Sequence, residues 1–191
     1  MRITNLEKIT NENWVNLFAV RYEHGDHVGR WVFASRHDTP YQGNPCDAVV
    51  IVPILRNPGE PPRLVVIREF RVPVGDYVIG LPAGLVEKGE PIETAIEREM
   101  REETGLTVAK IHRITQPVFS SAGLTDESAA LAFIDVTGHP DAPRALDPSE
   151  DIEVVLLDHA GVCRLADDRS LLVDVKAWMV LCLFQMLGKV E

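Results

Sequence analysis

The sequence predicts an α/β fold of the α+β kind, a mixed sheet between helices, preceded by an antiparallel β-hairpin. Three observations carry this. Apolar, β-branched runs recur along the chain as strands. Residues 91–105 carry apolar side chains at helical spacing. Residues 171–188 form a second, strongly apolar helical segment.

The elements follow in order. Residues 13–22 and 29–36 read as two strands, and Gly25-Asp26 in their connection makes them a hairpin. His37 to Pro45 carries two prolines and a glycine and reads as a linker. This sets an N-terminal hairpin region at 1–44 and a main domain at 45–191. CDAVVIVPIL (46–55) and RLVVIREF (63–70) are strands, separated by the loop RNPGEPP. Residues 71–83 lead irregularly into the first helix. Further strands are expected at 108–118 and 128–136. TGHPDAPRALDPSED (137–151) is a Pro-, Asp- and Gly-rich loop, and IEVVLLD (152–158) is a strand. The apolar segment 171–188 closes the fold.

Composition bounds the function. With 191 residues, 46% hydrophobic and 25% charged, the chain suits one domain with a sizeable core and an appendage. No apolar run approaches the roughly 20 residues that span a bilayer, and MRITNLEKITNENW lacks the apolar core of a signal peptide. Cys46, Cys163 and Cys182 are scattered without metal-ligand spacing, which suits a reducing cytoplasm. A net charge of −10 argues against a nucleic-acid-coating surface. It leaves room for a phosphate-bearing small molecule bound through local arginines and metal.

The segment GLVEKGEPIETAIEREMREETGL (84–106) is the most informative. Pro91 suits the first helical position, and Gly105 the left-handed position past the helix end. At about 3.6 residues per turn, Ile92, Ile96 and Met100 fall at roughly 0°, 40° and 80°, with Ala95 near −60°. Glu99 falls near −20° and Glu103 near +20°, inside the apolar stripe, with Glu102 at its edge near −80°. A solvated charged face accounts for Glu93, Glu97 and Arg101 but not for these acids. Buried carboxylates are neutralised, paired or bound to metal. Arg98, near −120°, points away from their line. Acids at i, i+3 and i+4 offer the oxygen ligands that hard divalent cations take.

Gly84, five residues, Glu90, seven residues, then Arg98-Glu99-Met100-Arg101-Glu102-Glu103-Thr104-Gly105-Leu106 resembles the Nudix box at every fixed position. The resemblance implies an α/β/α sandwich and a Mg²⁺- or Mn²⁺-dependent hydrolase of nucleoside diphosphates linked to another group. By the same resemblance, Glu99 and Glu103 are the principal metal ligands. Glu102 is a further ligand, and the Ala83 carbonyl completes the shell. Glu90 and Arg98 tie loop to helix as an ion pair, and Gly84 and Gly89 permit turns.

REFRVPVGDYVIGLPAGLVEKGE and SAGLTDE (121–127), with Glu127 in the acidic place, resemble the ADP-ribose and ADP-sugar pyrophosphatase subgroup. Gly80 and Ala122 depart from that subgroup's usual residues. The resemblance implies a general base from the acidic loop. Glu150 fits best and Glu153 second, and Glu102 of the box is the further candidate. It also implies a homodimer built on the N-terminal hairpin. Trp14 and Trp31 either stack on the base or pack in the dimer interface, and Arg36 and Arg71 either meet the diphosphate or form surface ion pairs. Two rivals stand beside this expectation: a Nudix hydrolase of oxidised nucleoside triphosphates, and a Nudix ligand-sensing module without turnover.

Overall fold

The structure is a computed structural model that describes residues 1–40 and 46–190. Most of the predicted linker, including the boundary at 44, lies outside the described residues. The strands are β1 (Arg2–Lys8), β2 (Asn16–His24), β3 (His27–Ser35), β4 (Ala48–Leu55), β5 (Arg63–Arg71), β6 (Asp76–Gly80), β7 (Ala83–Leu85), β8 (Thr107–Ile114), β9 (Val118–Phe119), β10 (Ser128–Thr137) and β11 (Ile152–Leu157). The helices are α1 (Ile92–Glu99), continued by a π-helical turn (Met100–Thr104), α2 (His159–Asp167) and α3 (Val175–Leu187). The chain divides into two compact units, Met1–Asp47 with Pro117–Ala129, and Ala48–Gln116 with Ala130–Glu191.

The first unit holds a three-stranded antiparallel sheet in the order β1-β2-β3. The expected hairpin is there: His24 pairs with His27 around Gly25-Asp26, and Gly25 takes φ +59°, where glycine carries no Cβ penalty. β1 was not expected from the sequence. Every residue of it is exposed, so it has none of the in-out alternation by which a strand is recognised. Phe18, Val20 and Phe33 form a small core, the two phenyl rings stacked at 5.8 Å. Residues 120–127 are tied to β3. Ala34 N–H donates to the Leu124 carbonyl (2.8 Å) and the Trp31 indole N–H to the Gly123 carbonyl (3.1 Å).

The main sheet runs β11-β5-β4-β10-β8, with β6 beside β5, β7 beside β4 and β9 beside β10. It is mixed. Asp47 N–H donates to the Ser128 carbonyl and Arg56 N–H to the Val136 carbonyl, so β4 and β10 ascend together, while the other registered pairs are antiparallel. β4 is buried from Val49 to Leu55 because both its faces are covered. One face packs Val49, Ile51 and Val65 against Ala95, Ile96 and Met100 of the first helix. α2 and α3 supply the further buried residues Val162, Ala177, Leu181 and Phe184.

Four local readings are corrected. Within the expected irregular lead-in 71–83, Asp76–Gly80 form β6 and Ala83 opens β7, and β6 is held from outside by Ile79 N–H to the Leu172 carbonyl and Asp174 N–H to the Ile79 carbonyl. The expected strand 108–118 breaks after Ile114 and resumes at β9. α2 was not anticipated; Asp158 caps it by accepting the Gly161 N–H at 2.7 Å, a signal present in the sequence. The closing helix begins only at Val175, where Asp174 accepts the Lys176 and Ala177 N–H groups. Among the described residues no helix is long and apolar enough to cross a membrane.

Candidate active site

β7 pairs with the first half of β4, Gly84 opposite Val49, and thereby lays its backbone beside the end of α1. Gly84 does not take a positive φ, so it is not a turn residue here. Its role is close approach: a Cβ at this position would stand 1.8 Å from Glu99 Oε1 and 1.9 Å from its carboxyl carbon. Gly89, at φ +83°, is the turn former. Pro91 is the N-cap, with ψ 142°, so the helix begins one residue later than the spacing suggested.

The helix does not finish as an α-helix. Met100–Thr104 widen into a π-helical turn that ends at Gly105, φ +71°, whose N–H bonds to the Arg101 carbonyl. The widened turn presents the Glu102 carbonyl to Ala145 N–H of the loop before β11 (3.2 Å), docking that loop on the motif. A Cβ on Gly105 would approach the Ala142 carbonyl oxygen to 2.9 Å, so this glycine is held by both space and backbone angle.

Glu99 and Glu103 are the buried acids, 7% and 3% exposed. Glu103 Oε2 accepts the Ala83 N–H at 3.2 Å, so Ala83 touches this carboxylate through its amide. Burial pushes the Glu103 carboxyl up to about 9, reinforced by the nearby Glu99 charge and, more weakly, by Glu69 and Glu150. Burial likewise raises Glu99, against the lowering pull of Arg98, with Glu102 and Glu150 adding to the rise.

Arg98 is the correction to the helical-wheel argument. It reaches back across the patch instead of pointing away. Its Nε and Nη2 grip Glu90 at 3.0 Å each, Nη2 also reaches the Leu85 carbonyl at 2.9 Å, and Nη1 lies 2.5 Å from Glu99 and 3.3 Å from Glu102. A long side chain spans more of a helix surface than its Cβ direction indicates. Glu90 also accepts Glu87 N–H at 2.9 Å, closing the loop ahead of the helix. Arg98 lies between Glu99 and Glu102, and among the described residues no three His, Cys, Asp or Glu side chains already form a metal-holding group. The donor set nevertheless fits a hard divalent cation. Glu99, Glu102 and Glu103 offer only carboxylate oxygens, and the missing Cβ of Gly84 leaves the room in which the Glu99 carboxylate lies.

The base candidates part company. β11 pairs Ile152 with Glu69 and Glu153 with Arg68, and Phe70 N–H to the Asp151 carbonyl extends the ladder by one residue. Side chains alternate along a strand, so Glu153 shares a face with Arg68, 3.6 Å away. One further step puts Glu150 at the register position of Arg71, on the face of Glu69. Glu150 is near enough to raise both Glu99 and Glu103. Its carboxylate accepts Asp147 N–H at 2.9 Å. Arg71 pairs with Glu69 at 2.6 Å.

The remaining candidates lie in the first unit. Arg36 and Glu127 form an ion pair at 2.9 Å. Trp31 is 52% exposed with its indole N–H committed to Gly123, and Trp14 is 77% exposed. Ser35 Oγ donates to Asp126 Oδ2 at 3.0 Å.

The NUDIX domain family profile matches residues 45–178, most of the chain. This chain belongs to the Nudix family. It is a Nudix hydrolase by kinship. Over 183 residues, 91% of this chain and 80% of the other, it is 32% identical to "Putative nudix hydrolase 2" of Caenorhabditis elegans. It is 30% identical to the ADP-ribose pyrophosphatase of Saccharomyces cerevisiae, over 79% of this chain and 65% of the yeast protein. It is 28% identical to the ADP-sugar pyrophosphatase of Mus musculus, over 71% of this chain and 62% of that one. The chain thus matches somewhat under two thirds of the length of these two pyrophosphatases. A crystal structure of an ADP compounds hydrolase superposes with a TM-score of 0.66 over 98% of this chain and 94% of that one, at 19% identity, and shares the Nudix fold.

Two Nudix-site neighbours escaped the sequence reading. Glu69 could have been found, because alternation along a strand puts it on the face of Arg71. The cluster of Tyr77, Arg68 and Asp151 could not, because it is assembled from two strands and a loop end far apart in sequence.

Proposed function

We propose that this Nudix hydrolase cleaves the diphosphate of ADP-ribose or a related nucleoside diphosphate sugar, releasing a nucleoside monophosphate and a sugar phosphate. The observation that carries the reading is the buried pair Glu99 and Glu103, one turn apart, with Gly84 lacking the Cβ that would displace the first of them. Kinship with proteins named for ADP-ribose and ADP-sugar hydrolysis supports the substrate class.

Glu99, Glu103 and Glu102, with the Ala83 carbonyl, would hold Mg²⁺ or Mn²⁺. The ion supplies charge neutralisation for the diphosphate and acidifies water. With such an ion bound, Arg98 would release Glu99 and Glu102 while keeping its two-pronged hold on Glu90. Glu150 takes the proton of the attacking water, being preferred over Glu153 because it lies on the face of Glu69 and Arg71. Arg71 and Arg36 bind phosphate oxygens, Glu127 orients Arg36, and Trp14 and Trp31 stack on the base, one from each subunit of a homodimer joined through the N-terminal sheet. The reading sets the enzyme in the cytoplasm, acting on a small molecule and on neither nucleic acid nor membrane.

The test is a substrate panel with Mg²⁺ and with Mn²⁺: ADP-ribose, UDP-glucose, GDP-mannose, NADH, dinucleoside polyphosphates and 8-oxo-dGTP. The expected result is preferred turnover of ADP-ribose or another nucleotide sugar, abolished in Glu103→Gln. Preference for the triphosphate would refute the substrate class. Full activity of Glu103→Gln would refute the site.

A further inference from the structure

Tyr77 stands on β6 opposite Phe70 of β5. Its ring is gripped from two sides: the Phe70 ring meets it edge-on at 5.4 Å, and the Arg68 guanidinium carbon lies 3.9 Å over its centroid. The hydroxyl therefore has little freedom, and it donates to the carboxylate of Asp151. That acceptor lies next to Glu150 in the chain. Phe70 N–H fixes the Asp151 backbone carbonyl at 3.1 Å, so this residue is held through both its main chain and its side chain. Neighbours in extended chain point to opposite faces. Fastening Asp151 to the Tyr77 face thus turns Glu150 to the face of Glu69 and Arg71. Elsewhere the loop is tied by Asn57 to Gly138 through two hydrogen bonds, by Ala145 N–H on the Glu102 carbonyl and by Arg144 Nη1 on the Ile152 carbonyl at 2.8 Å, none of which fixes the face to which Glu150 turns.

We propose that Tyr77 is a positioning residue for hydrolysis: its hydroxyl, by clasping Asp151, sets the end of the 137–151 loop so that Glu150 is presented to the carboxylate patch. This rests on Glu150 being the base. The effect is carried by orientation, since misplacing a reacting group by about 1 Å costs up to about 100-fold in rate.

The experiment is a double-mutant cycle of Tyr77→Phe and Glu150→Gln on the full chain with Mg²⁺ and ADP-ribose, with amide hydrogen exchange of each variant without substrate. Tyr77→Phe keeps the ring and its contacts with Phe70 and Arg68; Asp151→Asn is the second variant, weakening the same bond from the other side. The expected result is a kcat about 10- to 100-fold lower in Tyr77→Phe with KM within about twofold. In the Glu150→Gln background the same change alters kcat by less than about twofold, because the two residues act as one unit. Amides of 145–151 exchange faster in Tyr77→Phe while those of α1 do not. Wild-type kcat in Tyr77→Phe, a full multiplicative loss in the Glu150→Gln background, or unchanged exchange overturns the clasp. If Glu150→Gln is impaired and Tyr77→Phe is not, only the clasp falls. If Glu150→Gln keeps wild-type kcat, the base assignment and the clasp fall together.

Discussion

Replacing Gly84 by alanine adds one methyl group and places it 1.9 Å from the Glu99 carboxyl carbon. Ordinary contact begins near 3.4 Å, so the carboxylate must retreat by about 1.5 Å or β7 must lift from β4. The Glu99 side chain is flexible in principle, but it is buried and already bonded to Arg98 at 2.5 Å. Such overpacking costs about 1–3 kcal/mol, which in a chain of this size lowers Tm by roughly 2–10 °C. The catalytic loss is expected to be larger than the stability loss, because a ligand displaced by more than 1 Å costs about 100-fold or more in kcat/KM. Calorimetric titration with Mn²⁺, kcat/KM on ADP-ribose and a thermal melt measure the three quantities on one preparation. A Gly84→Ala enzyme that melts lower yet keeps wild-type Mn²⁺ affinity and kcat/KM would refute the claim that this glycine makes room for a working carboxylate.

Other consequences can be measured as directly. Glu103 keeps its proton up to about pH 9 in the folded protein, against an ordinary value of 4.5. The stability this contributes is therefore full below about pH 4.5 and is lost as pH rises through 9. Melts in chelator should show metal-free wild type losing stability across that window and Glu103→Gln, inactive, losing less. Adding Mn²⁺ at pH 7 should release about one proton, read by titration calorimetry in two buffers of different ionisation enthalpy. Arg98→Ala leaves Glu90 and Glu99 without their cation, both little exposed, and should cost about 3–5 kcal/mol in denaturant unfolding. Arg98→Lys should recover only part, since an ammonium cannot reproduce the fork. Arg36→Ala should raise KM for ADP-ribose by roughly 10-fold or more with kcat little changed; a fall in kcat at constant KM would count against a binding role.

The parts of this molecule that announce themselves in sequence are those whose signal is local. β4 and β5 are legible because strands covered on both faces are continuous apolar runs. Glu99 and Glu103 are legible because their helical phase contradicts their polarity. β1 is not legible, since a fully exposed strand has no burial to encode. The π-helical turn is also hidden: a 3.6-residue period still carries Glu103 to the buried side although the turn is wider there. The wheel misjudged Arg98 because it tracks Cβ directions, whereas the guanidinium ends several bonds away among Glu90, Glu99 and Glu102. Partnerships such as Tyr77 with Asp151 are set by strand register, which no single segment contains.

The widened turn at Met100–Thr104 makes the length of this stretch as binding as its composition. Removing any one of its five residues would let the coil close into a regular helix without breaking it. Five residues of the wide turn sweep roughly the angle of four in a regular helix, so Gly105 would still face Ala142 while the carboxylates within the turn changed phase. Single-residue deletions here should thus yield soluble, folded, inert protein, while substitutions of the exposed Arg101 in the same turn are borne without penalty.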